Sequence, residues 1–220
     1  MLLRGSRFGL IIAAAFTLAA CDVAPPDHPF LPWDFEVNEQ GNVEVFGLEI
    51  GESSLVDFRR KYDQRADLAI FRDPDQRLSL EAYFGETAVG ALNAQVVLVA
   101  DVSQEQLETW AGESMNIDPT PSGARQMTMS DEAIRAAQHL PIYSIHYAAR
   151  ADYSHELVER RFGVPNEVRI EPDEEEQIEY WLYPERGLLI ILDEDGRDVF
   201  QYINPRDFAA LEDVIAHTLE

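Results

Sequence analysis

The chain of 220 residues has a single cysteine, Cys21, and only 17 basic side chains against 41 acidic ones. One cysteine excludes an intrachain disulfide framework and a cysteine-rich zinc site. The formal net charge of −24 argues against a nucleic-acid partner, because binding to a phosphate backbone requires clustered Lys and Arg. Hydrophobic residues make up 46% of the chain, which is enough for a buried core and excludes wholesale disorder.

Residues 1–20 have the composition of a secretory signal peptide. Arg4 and Arg7 supply positive charge, and an uncharged, mostly apolar run follows them and ends in two alanines. A helix that crosses the membrane needs about 20 apolar residues, and this run is shorter, so permanent spanning is not expected. We predict that the segment is removed by cleavage between Ala20 and Cys21.

Cys21 occupies the predicted cleavage point. The sequence Leu18-Ala19-Ala20-Cys21 resembles the bacterial lipobox. This resemblance implies that the Cys21 thiol is diacylglycerylated and that its new amine is acylated after cleavage, so the chain would be held on the bilayer by lipid. An ordinary signal peptide with a buried cysteine nearby is the alternative.

Asp22, directly after the predicted lipidation site, bears on membrane sorting. It resembles the aspartate that keeps lipoproteins at the inner membrane in enteric bacteria. The resemblance favours the periplasmic side of the inner membrane over the outer membrane.

Residues 21–34 are predicted to form a Pro-rich membrane tether. Four prolines lie between residues 23 and 32, a composition that favours extended polyproline II. Without Arg4 and Arg7 the mature chain carries 15 basic and 41 acidic residues, so anionic headgroups would repel it. A stiff spacer of about 30 Å would hold the acidic body away from them. A loose N-terminal tail is the alternative.

Strand and helix patterns alternate from residue 35 to the C-terminus, which predicts an α+β fold. We expect two similar tandem units, residues 35–122 and 123–220, each an antiparallel sheet with helices packed on one face. A Pro- and Gly-containing segment at 118–123 marks the boundary between them.

The expectation of similar units comes from shifting the chain by 100 residues. The capping Ser54 then falls on Ser154, and the apolar helix residue Phe58 falls on Val158. Caps, apolar helix faces and strands keep one register without a gap. Two unrelated α+β halves with similar spacing are the alternative.

The C-terminus is predicted to be a helix opened by Asn204 as N-cap and Pro205 at the first helical position. Its apolar residues recur at helical spacing and predict a stripe that faces a core: Phe208, Leu211, Ile215 and Leu219.

A family resemblance follows from these patterns. A lipobox, a helix, the turn Phe162-Gly163-Val164-Pro165 and an antiparallel meander resemble small envelope lipoproteins of the SmpA/BamE type. Two such units in tandem resemble the β-lactamase inhibitor protein fold, which implies helices on one face of each sheet and a partner protein on the other. The chain also resembles uncharacterised proteobacterial lipoproteins through the strings at 84–86, 181–184 and 205–208. That likeness implies no activity.

No catalytic set is predicted. The five histidines show no i, i+4 pair, and Pro141 separates His139 from His146. The acidic run that starts at Asp193 fails the calcium-loop pattern, because its twelfth residue is Asn204 rather than Glu. Weak calcium binding there, or at the run 172–176, is the alternative to a solvated turn. We therefore expect no enzyme activity, no cofactor and no metal.

The sequence thus predicts a non-catalytic protein-binding or scaffold module that is anchored to the membrane and faces the periplasm. Its partners would be the lipid bilayer, through acylated Cys21, and a protein of the cell envelope. An inhibitor or small-ligand sensor that uses the cleft between the two units is the alternative function.

Overall fold

The computed structural model describes residues 30–90, 92–171, 177–194 and 196–219. The predicted signal peptide, the lipidation site Cys21 and the sorting residue Asp22 lie outside these ranges. The described helices are α1 (Leu55–Tyr62), α2 (Gln104–Gly112), α3 (Asp131–Ala137), α4 (His155–Phe162) and α5 (Ala209–Thr218).

The described strands number thirteen. In the first half of the chain they are β1 (Phe35–Val37), β2 (Val43–Val45), β3 (Leu48–Glu49), β4 (Asp67–Arg72), β5 (Leu78–Val89), β6 (Leu92–Ala100) and β7 (Ile117–Pro119). In the second half they are β8 (Arg125–Thr128), β9 (Ile142–Ala149), β10 (Glu167–Ile170), β11 (Ile178–Tyr183), β12 (Leu188–Asp193) and β13 (Val199–Ile203).

Ten of these strands form one continuous antiparallel sheet in the order β10-β11-β12-β13-β9-β6-β5-β4-β8-β7, and β1, β2 and β3 form a small separate sheet. The two halves of the chain meet in the large sheet where β6 pairs with β9, with Val97 opposite His146. The predicted α+β class is confirmed.

Two similar tandem units are not confirmed. Helices α1 and α4 are offset by 100 residues, and a strand pair follows each of them. The correspondence fails before the helices, because Val45 lies in the small sheet whereas Ile145 lies in β9, near the middle of the large one. The predicted boundary at 122/123 falls between β7 and β8, which pair with each other.

The helices lie on both faces of the large sheet, so the prediction of helices on one face of each unit is wrong for residues 123–220, where α3 and α4 lie on one face and α5 on the other. Buried residues of α1, α2, α3 and α4, among them Phe58 and Val158, belong to the larger hydrophobic core. Ile215 of α5 belongs to a second hydrophobic core with Tyr180 and Leu182 of β11. Along β11, the residues of this second core alternate with residues of the larger core. Because successive side chains on a strand point to opposite faces, α5 covers the opposite face.

Local sequence explains where the helices begin. The backbone N–H of Ser54 donates to the Asp57 carboxylate at 2.9 Å, a capping-box contact at the start of α1. At α4 the N-cap side chain is the acceptor: the Ser154 hydroxyl accepts a hydrogen bond from the N–H of Leu157 at 3.3 Å.

The C-terminal helix begins later than predicted. Asn204 and Pro205 open a short 3₁₀ turn over Pro205–Asp207, and α5 starts at Ala209. The side chain of Asn204 makes no cap and instead bonds to the small sheet. The predicted apolar stripe is confirmed: Phe208 and Ile215 are buried, and Leu211 and Leu219 pack against the same core.

The described part of the predicted tether packs on the folded body. Phe30 and Trp33 pack partly buried against the larger core, and Pro32 is buried. The Tyr202 hydroxyl donates to the Pro32 carbonyl oxygen at 2.6 Å. The body therefore includes residues 30–34, and any spacer between it and Cys21 is confined to residues 22–29.

Candidate binding surfaces

The predicted site residues Ala20, Cys21 and Asp22 lie outside the described residues, so the structure gives no geometry for the lipidation site. The first described residue, Phe30, comes nine positions after Cys21 in the sequence. Candidate surfaces are therefore sought on the folded body.

One region of the large sheet is left without a helix among the described residues. On the face that α5 covers over β11, β12 and β13, the side chains of β4, β5 and β6 belong to neither hydrophobic core, and Tyr143 of β9 packs against the second core. We call this region the open face and define it by eight residues that are exposed or half-buried: Phe71, Ser79, Glu81, Tyr83, Gln95, Val97, Val99 and His146.

The strand register places these side chains in rows. Tyr83 lies opposite Val97, and Val97 lies opposite His146. In the next row, Glu81 lies opposite Val99. Tyr83 is 42% exposed and is the most accessible aromatic ring of the open face. Two valines and a tyrosine ring therefore lie side by side at the centre of the open face, flanked by Glu81 and His146. Aromatic residues are enriched at the cores of protein interfaces.

Two titratable groups of the open face are partly withdrawn from water. Burial raises the pKa of Glu81, and a hydrogen bond from the Ser79 hydroxyl at 3.0 Å opposes that rise. Burial lowers the pKa of His146 to about 4, so its ring is neutral at physiological pH. Its Nε2 lies 3.2 Å from the Ser144 hydroxyl. The histidine thus adds no positive charge to the open face at neutral pH.

An acidic cavity of about 630 Å³ lies beside the N-terminus of α4. Its carboxylates already make internal contacts. Asp198 is buried, accepts hydrogen bonds from the N–H groups of Tyr153 and Asp193, and has its pKa raised by burial. Glu179 accepts a hydrogen bond from the Trp181 indole at 2.8 Å. These contacts give the two carboxylates structural roles.

The cation alternatives gain no ligand set from the described residues. In the ranges that the structure describes, no three His, Cys, Asp or Glu side chains are grouped as metal ligands. At the turn after β12, the Asp193 carboxylate accepts a hydrogen bond from the N–H of Gly196 at 2.8 Å. The acidic run 172–176 lies outside the described residues.

The structure places the described histidines on separate elements. His139 follows α3, His146 lies on β9, His155 lies in the first turn of α4, and His217 lies in α5. His155 faces the Glu179 carboxylate at 3.3 Å and the Trp181 ring at 5.2 Å.

Sequence reasoning missed the open face, because the pattern of a single strand does not show which strands become its neighbours in the sheet.

Comparison with protein-family models, with curated proteins and with solved structures gave no match to this chain. None of the helices in the described ranges is both long enough and apolar enough to span a membrane.

Proposed function

We propose that the chain is an envelope lipoprotein that acts as a non-catalytic protein-binding or scaffold module. Acylated Cys21 holds it to the bilayer, on the periplasmic side of the inner membrane, and the open face binds an envelope protein. The observation that carries the proposal is the uncovered, apolar centre of the sheet around Tyr83, Val97 and Val99.

The proposal accounts for a difference between the two halves of one face of the large sheet: α5 covers one half, and no described helix covers the other. Helix α5 and the residue before it cover the face over β11 to β13. The side chains of Ile215 and Phe208, both 2% exposed, pack against that face. A polar sheet surface is stable in water without a helix over it. The valines of β6 and the ring of Tyr83 expose apolar surface to water, which is unfavourable. Binding of a partner would remove that area from water, as α5 does on the other half.

Site-specific photocrosslinking in intact cell envelopes tests this proposal. A photoreactive residue is introduced singly at Tyr83 and at Val97 in the full chain, with Glu108 on α2 as a control on the other face and Ile170 on edge strand β10 as a second surface. We expect the two open-face positions to give the same discrete protein adduct, and Val97→Glu to abolish the adduct at Tyr83.

Two results would contradict the proposal. Equal adducts at Glu108 would mean that the crosslinks report random collisions. Adducts at Ile170 alone would move the interface to the edge of the sheet, where Ile170 is 52% exposed. Thermal unfolding of Val97→Glu checks that the loss of the adduct does not come from unfolding.

The alternative function is an inhibitor or a small-ligand sensor. A cavity of about 230 Å³ lies where β6 meets β9, between the two halves, with Tyr147 and Tyr153 among its lining residues. It is smaller than the roughly 300–1,000 Å³ of ordinary ligand pockets, which is why we rank this function second. Native mass spectrometry of the protein purified from its membrane distinguishes the two, because a sensor would retain a bound small molecule.

A further inference from the structure

Four cationic side chains lie together in a chain that is otherwise strongly acidic. Arg59, Arg60, Lys61 and Arg65 fall within seven residues at the end of α1, and all four are exposed. We call this group the basic α1 end. Three of its arginines line an open cavity of about 480 Å³, and Asp63 is the one carboxylate among the residues that line it.

Most of this positive charge is not neutralised within the described residues. Arg60 lies 3.5 Å from Asp57, but Arg59, Lys61 and Arg65 have no ion pair in the described part of the chain. Cations in the last turn of a helix stabilise its dipole. That effect does not account for Arg65, which comes three residues after α1 ends.

The N-terminal segment enters the body next to the basic α1 end. The Lys61 ammonium lies 4.2 Å from the centre of the Phe30 ring. The backbone of Phe30 also passes so close to Gly90, at a φ of +61°, that a Cβ there would lie 2.2 Å from the Phe30 carbonyl oxygen. These contacts fix Phe30, the described residue that is nearest to Cys21 in the sequence, beside the basic α1 end.

Further cations follow the same segment across the surface. The Arg161 guanidinium lies 4.4 Å from the Trp33 ring, and the Arg186 guanidinium lies 4.4 Å from the Phe35 ring. Lys61, Arg161 and Arg186 thus each lie against an aromatic ring of residues 30–35, the described part of the chain that is nearest to Cys21 in the sequence, although the net charge of the chain is −24.

The length of chain between Cys21 and Phe30 limits how far this side can be from the anchor. Nine residues span at most about 30 Å when fully extended, at about 3.3–3.6 Å each. A lipid anchor on Cys21 would thus keep the basic α1 end within about 30 Å of the headgroups. The acidic remainder of the body is repelled by an anionic surface, which favours the orientation with the basic α1 end towards the membrane.

We propose that the basic α1 end binds the phosphate groups of anionic phospholipids in the membrane that holds Cys21. Arginine suits this role, because its planar guanidinium donates paired hydrogen bonds to phosphate oxygens. The inference rests on the proposed lipid anchor. It adds an orientation: the basic α1 end faces the bilayer and leaves the open face for a protein partner.

Arginine footprinting on vesicles tests the inference. The full chain is attached through its single thiol, Cys21, to maleimide lipids in vesicles of phosphatidylcholine alone or with about 30% phosphatidylglycerol. The arginines are then modified with phenylglyoxal, and the rate at each position is read by peptide mass spectrometry. Arg77 and Arg125 are exposed and are controls within the same molecule, because Leu78 and Arg125 pair with Arg72 at the end of β4 that is farthest from Arg65.

We expect phosphatidylglycerol to slow the modification of Arg59 and Arg65 by about threefold or more and to leave both controls unchanged. High salt should remove the protection, because it screens the attraction between charges. Equal rates on the two kinds of vesicle, or equal protection of all arginines, would overturn the inference. Protection by inorganic phosphate on phosphatidylcholine vesicles, at constant ionic strength, would assign the site to a soluble anion instead and would also overturn it.

The variant Arg59→Gln/Arg65→Gln provides a second readout, and Arg77→Gln/Arg125→Gln is its matched control. The first pair should remove the phosphatidylglycerol-dependent protection of Arg60, and the second should not. Because attachment through Cys21 is chemical here, a negative result speaks against headgroup binding and leaves the natural lipid anchor to its own test.

Discussion

Phe58 is the residue on which the packing of α1 depends. Its side chain is fully buried, and its ring centre lies 4.3 Å from that of Phe84 and 4.7 Å from that of Tyr62. We predict that Phe58→Ala lowers the free energy of unfolding by about 3–5 kcal/mol, because it removes buried area and leaves a cavity. Urea unfolding measures this, with Tyr83→Ala on the surface as the control. A loss below about 1 kcal/mol would mean that the ring is not in the core.

His146 predicts a pH dependence. Its folded pKa of about 4 lies below the unfolded value of about 6.5, so the folded state favours the neutral ring. This contribution to stability is complete above pH 6.5 and is lost as the pH falls towards 4, with a slope of up to about 1.4 kcal/mol per pH unit. We predict that His146→Gln flattens the stability profile between these values. Chemical unfolding at several pH values measures it, and an unchanged profile would contradict the burial of the ring.

At the scale of elements, hydrogen bonds from the side chain of Asn204 link the small sheet to the large one. Asn204 follows β13, and its amide accepts a hydrogen bond from the N–H of Val43 at 2.8 Å and donates one to the carbonyl oxygen of Ile50 at 3.1 Å. It is 2% exposed. Removing the side chain leaves two buried backbone groups without partners.

We therefore predict that Asn204→Ala costs about 1–3 kcal/mol of unfolding free energy. Asn93→Ala, at an exposed position of β6, is the matched control and should change stability by less than about 0.5 kcal/mol. Hydrogen exchange checks the location of the effect, since the Val43 amide should lose protection first. Similar changes in the free energy of unfolding for the two substitutions would contradict the proposal that Asn204 links the two sheets.

Individual elements could be predicted from the sequence because their signals are local. The alternation of Leu78, Leu80 and Ala82 with more polar neighbours is a local signal of β5, and the spacing of Ile215 and Leu219 predicted α5. The start of α5 was predicted too early because Asn204 is a good N-cap residue. In the structure its side chain accepts a hydrogen bond from the N–H of Val43 in the small sheet and does not cap a helix. The strand order was not predictable in this way, because the pairing of β6 with β9 joins residues about 50 positions apart.

The open face was missed for the same reason. Tyr83, Val97 and His146 come from three strands, and no local pattern shows that they form one row. The basic α1 end is contiguous in the sequence and could have been found there. Its meaning depended on the contact between Lys61 and Phe30, which only the fold supplies.

At the scale of the whole molecule, membrane sorting is a separate prediction from anchoring. If Asp22 keeps the lipoprotein at the inner membrane, Asp22→Ser should move it to the outer-membrane fraction, with no change in the stability of the folded body. Density-gradient fractionation of the two proteins measures this. Wild-type protein in the outer membrane would contradict the sorting prediction without affecting the anchor.

The proposed function as a whole depends on lipid at Cys21. In the proposed orientation, the basic α1 end faces the headgroups and the open face remains accessible to a protein partner. Two or three acyl chains are needed for such stable attachment, because one chain alone holds a protein only marginally. Cys21→Ser should release the folded body to the soluble fraction or leave an uncleaved precursor.

The most direct test is the mass of the N-terminal peptide of the protein purified from its own membrane. We predict that the mature chain begins at Cys21 and that this residue carries a thioether-linked diacylglycerol and an N-linked acyl chain. A mature chain with an unmodified Cys21 thiol, or one that begins at another residue, would contradict the lipid anchor and with it the proposed function.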